Sequence, residues 1–291
     1  MAGSTVYADF DQAGLDAQYN NRAHVPEHVE LYAGWEKICA EVLERFDHRL
    51  DVKYGSSPRE ALDVVLPDGP GPHPALLYIH GGYWMSRSKS DQTFLAAPYA
   101  AAGAAFVLVE YDLMPDVRMA DIVRQCRDAA AWVHANAADL NIDPDRLFVS
   151  GHSAGGHLTA MLAETDWPAH AGAPADLMKG GAALSGIYDL EPIRHTYMQE
   201  TLGLSAEEVA ANSPIHTDPA PKVPLIVAPG GGETDEFRRQ SRDFADAWNG
   251  RGGDCVYMER PDMNHFTILD DLADGDGGLF KAIAGQMGLA G

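Results

Sequence analysis

Apolar and polar positions along this chain follow two different rhythms. Val29, Tyr32, Trp35, Cys39, Val42, Leu43 and Phe46 recur at three- and four-residue steps after Pro26, which predicts one helix with an apolar packing face. The residues before it, 1–24, are polar and include Gln18-Tyr19-Asn20-Asn21-Arg22. This N-terminal helical extension, residues 1–48, is expected to lie over or beside the sheet that follows. Alternating segments at 50–54 and 61–66, joined by Gly55-Ser56-Ser57-Pro58, predict a hairpin-like strand pair. Ala75-Leu76-Leu77-Tyr78-Ile79 is a continuous apolar run of buried-strand length. Strand and helix patterns then alternate. Strands are predicted at 104–109, 147–150, 182–185, 225–228 and 255–258. Helices are predicted at 119–134, 154–165, 206–211, 236–248 and 278–287. Alternation of this kind implies an α/β fold: a mainly parallel eight-stranded sheet with helices on both faces, in a single domain spanning 1–291. The stretch 188–221 is longer than a crossover needs, and is a candidate lid or pocket wall.

Composition narrows the function. With 43 acidic and 21 basic residues the formal net charge is −22, which argues against nucleic acid and anionic membrane surfaces as partners. Such acidity also suits a saline setting. No stretch approaches the ~20 apolar residues of a membrane span. The first residues lack a basic region followed by an apolar run, so no signal peptide is expected. Cys39, Cys126 and Cys255 are too widely spaced for a metal site and odd in number. They are expected to be small apolar core residues in a reducing, cytoplasmic protein.

The candidate chemistry centres on Gly151-His152-Ser153-Ala154-Gly155, between the 147–150 strand and the 154–165 helix. G-x-S-x-G in that context is a nucleophile elbow, whose tight turn requires small residues on either side of the serine. His80-Gly81-Gly82-Tyr83-Trp84 follows the 75–79 strand. Acyl transfer through a serine creates an oxyanion, and the backbone N–H groups of Gly81, Gly82 and Ala154 are the candidate donors to it. His80 is assigned to orienting the glycine turn. Among twelve histidines, His265 follows the last strand, where the general base belongs in this topology. His134 and His170 are read as solvated or structural, and His152 and His157, which flank the serine, sit at positions in the elbow unsuited to attack geometry. The acid should follow the 225–228 strand, where Glu233, Asp235 and Glu236 compete. Glu236 suits the start of a helix, while spacing does not separate Glu233 from Asp235.

His80–Trp84, Gly151–Leu158, Ser185-Gly-Ile-Tyr-Asp-Leu-Glu-Pro192 and Glu236-Phe-Arg-Arg-Gln-Ser241, with Gln18–Asn20 and Asp262–Phe266, together resemble the kynurenine formamidase (arylformamidase) family of the α/β-hydrolase fold. The resemblance spans nearly the whole chain. It implies cofactor-free hydrolysis of an N-formyl group on an aromatic amine, with release of formate. It puts the nucleophile at Ser153 and the base at His265. The family's acid is an aspartate four residues before the phenylalanine of the E-F-x-R-Q-S segment, a register that lands on Glu233. The substrate pocket is then expected to be walled by Tyr83, Trp84, Tyr188, Tyr19 and Phe266, with Arg194 or His195 meeting a substrate carboxylate. The expected partner is a small molecule, and a homodimer is left open. Rival readings are a short-chain carboxylesterase, a deformylase or amide hydrolase of N-heterocycle breakdown, and a catalytically silent binding fold.

Overall fold

The computed structural model describes residues 4–217 and 223–289. A small ribbon of β1 (Thr5–Tyr7) and β2 (Phe10–Asp11) opens the chain. Eight further strands form the central sheet: β3 (His48–Lys53), β4 (Ala61–Val65), β5 (His73–Ile79), β6 (Ala105–Val109), β7 (Ile142–His152), β8 (Met178–Leu184), β9 (Leu225–Ala228) and β10 (Cys255–Tyr257). They lie in the order β10-β9-β8-β7-β5-β6-β4-β3. The β3–β4 and β4–β6 pairs are antiparallel, and every other pair is parallel.

Continuous apolar runs form these strands because the parallel sheet is covered on both faces. The two-residue period then splits each strand between two cores. Leu77, Ile79, Val107 and Val149 join the core under the helices Met119–Ala135, Ala154–Ala163 and Asp235–Gly250. Leu76, Tyr78, Phe106 and Phe148 join the other, under His28–Arg45, Ala96–Ala101, Ile268–Ala273 and Gly278–Gln286.

The structure departs from the sequence expectations in places. Val29 is 63% exposed and stands off the packing face of the His28–Arg45 helix, which packs Leu31, Tyr32 and Cys39 on the core and buries Trp35 and Val42 in it. Leu50 is 47% exposed because β3 is an edge strand. β7 begins at Ile142, five residues before the apolar run that marked it, as a polar overhang through Asp143-Pro144-Asp145. Cys126 and Cys255 are buried and Cys39 is half-buried. Burial pushes the Cys255 thiol up to about 12, so it stays protonated and inert near neutral pH.

Candidate active site

Ser153 stands alone between the end of β7 and the helix Ala154–Ala163, with φ 58° and ψ −119°. A non-glycine residue held there stores roughly 1–3 kcal/mol of strain, the kind found where a side chain must be aimed. The surroundings enforce it. A Cβ on Gly155 would drive into the Ile79 carbonyl, and one on Gly151 into the Gly155 carbonyl. The helix behind Ser153 is buried along its whole length. The Ser153 N–H is tied to the Leu184 carbonyl at 2.9 Å, which leaves the side chain as the free end of the turn.

The glycine turn after β5 lies against this serine. A Cβ on Gly81 would stand 3.1 Å from Ser153 Cβ. Gly82, Tyr83 and Trp84 follow at φ 113°, 51° and 58°. Among the described residues no backbone carbonyl engages the N–H of Gly81 or Gly82, and the Ala154 N–H opens the first turn of its helix. His80 braces the turn from below. Its ring stacks on Tyr111 at 4.3 Å, with Nε2 at 2.9 Å from Glu110 Oε1 and Nδ1 at 2.8 Å from the Gly81 carbonyl oxygen. Burial alone would raise the Glu110 carboxyl, but the hydrogen bond and charge of His80, with Arg59 beside it, hold it below its ordinary value.

Of the three carboxylates after β9, Glu233 is the one at the histidine: Oε1 accepts from His265 Nδ1 at 3.3 Å, and both side chains are buried. Ser185 donates to the same oxygen. Glu233 Oε2 is buried without a partner among the described residues. Asp235 is exposed on the first turn of its helix. Glu236 accepts from Tyr19 Oη at 2.8 Å and pairs with Arg239 at 2.7 Å. The rings of Phe237 and His152 lie 4.7 and 4.5 Å from that of His265. Burial and the neighbouring His265 hold His152 well below the ordinary histidine range, so it is neutral beside His265. His157 sits deeper, between the Trp84 indole N–H and the Asn212 carbonyl.

Ser153, His265, Gly81 and Gly82 all open onto one cavity of about 220 Å³. A cavity of about 150 Å³ holds benzene, so this one has room for a substituted ring. Tyr83 and Phe266 line it. Trp84, Tyr188 and Tyr19 do not, contrary to expectation. Trp84 turns inward, to His157. Tyr188 stacks on Phe244 at 4.2 Å in the core. Tyr19 is clamped between Glu236 and Gln240 and reaches the site only through its carbonyl, which accepts from Tyr83 Oη at 2.6 Å. Arg194 and His195 both fold back onto Glu191. Instead Asn20, Asn21, Arg22, Tyr32 and Trp35 from the N-terminal segment wall the cavity, with Arg87, Tyr197 and Met198. Tyr32 and Trp35 had read as packing residues, because an apolar stripe looks alike whether it faces a core or a cavity. Tyr197 and Met198 belong to the 188–221 stretch, which forms a wall of short helices here; its last residues, 218–221, lie outside the described residues. Among the described residues no group of three His, Cys, Asp or Glu is placed to hold a metal, and no helix is long and apolar enough to cross a membrane.

Residues 62–171 match the family model described as BD-FAE. The kynurenine formamidase of Salmo salar is 36% identical over 82% of this chain and 82% of its own length. The chain belongs to the kynurenine formamidase family. Esterase LipC of Mycobacterium tuberculosis is 27% identical over 79% of this chain and 63% of its own. The solved carboxylesterase EstE1, from a metagenomic library, superposes with a TM-score of 0.74 over 92% of this chain and 99% of its own, at 22% identity. This family member is thus an α/β-hydrolase-fold enzyme, as its strand order and elbow imply.

Proposed function

We propose that the enzyme hydrolyses an N-formyl amide of an aromatic amine, N-formylkynurenine or a related compound, and releases formate. What carries the reading is the convergence of Ser153, His265 and the Gly81–Gly82 turn on one aromatic-walled cavity. The 36% identical formamidase weighs the choice toward amide over ester. Glu233 holds the His265 Nδ1–H, which leaves Nε2 to take the Ser153 proton as Oγ attacks the formyl carbon. The oxyanion is met by N–H groups of Gly81, Gly82 and Ala154. When the tetrahedral intermediate collapses, the C–N bond breaks and His265 returns the proton to the departing amine. Water, deprotonated by His265, then attacks the formyl ester, and formate leaves as Ser153 recovers its proton. No metal or organic cofactor is required for these steps.

Formate release from N-formyl-L-kynurenine, run beside 4-nitrophenyl acetate, tests the reading. Efficient release that falls about 10⁴-fold or more in Ser153→Ala supports it. Ester cleavage without formate release overturns it in favour of a short-chain carboxylesterase.

A further inference from the structure

The cavity's electrostatic character is not explained by the hydrolytic machinery. The chain carries a formal charge of −22, yet among the described residues no aspartate or glutamate lines the cavity and two arginines, Arg22 and Arg87, do. They come from separate parts of the chain. Arg22 sits on the short helix Asn21–His24, exposed at the mouth. Arg87 ends the loop that carries the glycine turn. Its backbone is left-handed, at φ 75°, an uncommon setting for a long side chain. Arg59 fixes it by donating to the Arg87 carbonyl at 2.9 Å. The Arg87 guanidinium lies 3.8 Å over the Tyr32 ring, and its Nε meets Asp91 at 3.3 Å. The side chain is 24% exposed, so it is neither a solvated surface group nor spent in a buried ion pair.

Other cavity groups report the same field. Burial raises the Tyr32 phenol; Arg87 and Arg22 act against that rise and Asp91 adds to it. Burial likewise raises Tyr83 and Tyr197; Arg22 opposes the rise at each, while Glu233 adds to it at Tyr83 and Asp16 at Tyr197. Arg22 and these three phenols line the same cavity. Asn20, Asn21 and Gln92 add uncharged polar groups, and Tyr32, Trp35 and Phe266 supply flat apolar faces. An aromatic ring fits between such faces, and an arginine fork matches a carboxylate with two parallel hydrogen bonds.

We infer that Arg22 and Arg87 form a carboxylate-binding subsite, which selects aromatic substrates bearing an anionic group over neutral ones. The substrate class depends on the deformylase reading above, whereas the subsite itself does not. The experiment compares kcat/KM for formanilide with its 2-, 3- and 4-carboxylates, and for phenyl acetate with its ring carboxylates. At least one carboxylate isomer should exceed its neutral parent by about tenfold or more. Arg22→Gln and Arg87→Gln should each shrink that ratio several-fold through KM, with Arg87→Lys restoring part of it. Formanilides cleaved with no carboxylate preference, or a preference untouched by either substitution, overturns the subsite and leaves the deformylase reading standing. A preference confined to esters, with no formate released, keeps the subsite and removes the deformylase reading.

Discussion

Glu233 and Ser185 are 48 positions apart in the chain, yet one carboxylate oxygen accepts from both Ser185 and His265. That shared oxygen distinguishes Glu233 from its neighbours. Glu233→Ala should lower kcat by about 10²–10⁴-fold, since an unheld imidazole loses its tautomer and aim. Asp235→Ala, on an exposed helix start, should stay within twofold of the parent. Steady-state kinetics on the two variants checks both. The sequence marked Ser153 and His265 because motif and chain order single them out. Spacing left Glu233 and Asp235 undecided because both follow the same strand, and only the family resemblance pointed to Glu233. Only the direction each side chain takes after β9 separates them, and that direction is set by distant partners. The aromatic residues show the same limit. Trp84 and Tyr83 are adjacent, and one turns to His157 while the other faces the cavity.

At the scale of elements, the helix Asp235–Gly250 does more than cover the sheet. Glu236 holds Tyr19, Phe237 packs on His265, and Gln240 accepts from the N–H groups of Tyr188 and Asp189 at 2.6 and 2.8 Å. Gln240 also donates to Tyr19 Oη at 2.8 Å. One helical turn thus ties the N-terminal segment, the 188–221 wall and the base together. This explains why residues that touch no substrate form a recognisable sequence run. Tyr19→Phe deletes the hydroxyl between Glu236 and Gln240 and leaves both side chains short of a partner. It should cost about 1–3 kcal/mol of stability and raise KM, since Asn20, Asn21 and Arg22 follow directly. Thermal unfolding and kinetics would reveal both. Long periodic helices were legible in the sequence. The 3₁₀ segment Lys89–Leu95 and the short helices at Gln12–Tyr19 and Trp167–Ala171 were not, because their shape comes from caps and packing rather than period.

At the scale of the whole molecule, the Glu164 carboxyl works against stability. Glu164 ends the helix behind Ser153, and burial pushes its carboxyl up from 4.5 to about 7, against the pull of Thr217, Arg251 and Arg127. Near pH 4 the folded and unfolded states both hold this proton. Between 4.5 and 7 the unfolded chain releases it first, so stability declines across that window and the loss is complete above it. Glu164→Gln should therefore stabilise the protein by on the order of 2 kcal/mol at pH 8 and by little near pH 4. Denaturant unfolding at the two pH values measures the difference. The eight strands and their mainly parallel pairing were legible at this scale because apolar runs alternate with helix patterns; the order β10-β9-β8-β7-β5-β6-β4-β3 was not, because it depends on which sheet edge each crossover returns to.

The loop after β5 has a consequence for how this enzyme can change over generations. Gly82, Tyr83, Trp84 and Arg87 all sit at positive φ within six positions. On the proposed mechanism, the same short stretch bears the donors to the developing charge and a cation for the rest of the substrate, and all of them line the cavity. A mutation that relaxes it alters rate and preference in one step, and such steps seldom survive selection. Descendants that adopt new substrates are then freer to vary elsewhere on the cavity wall. Asn20, Asn21, Arg22, Tyr32 and Trp35 belong to a segment carrying none of the reacting groups, and divergence of diet is expected to be written there.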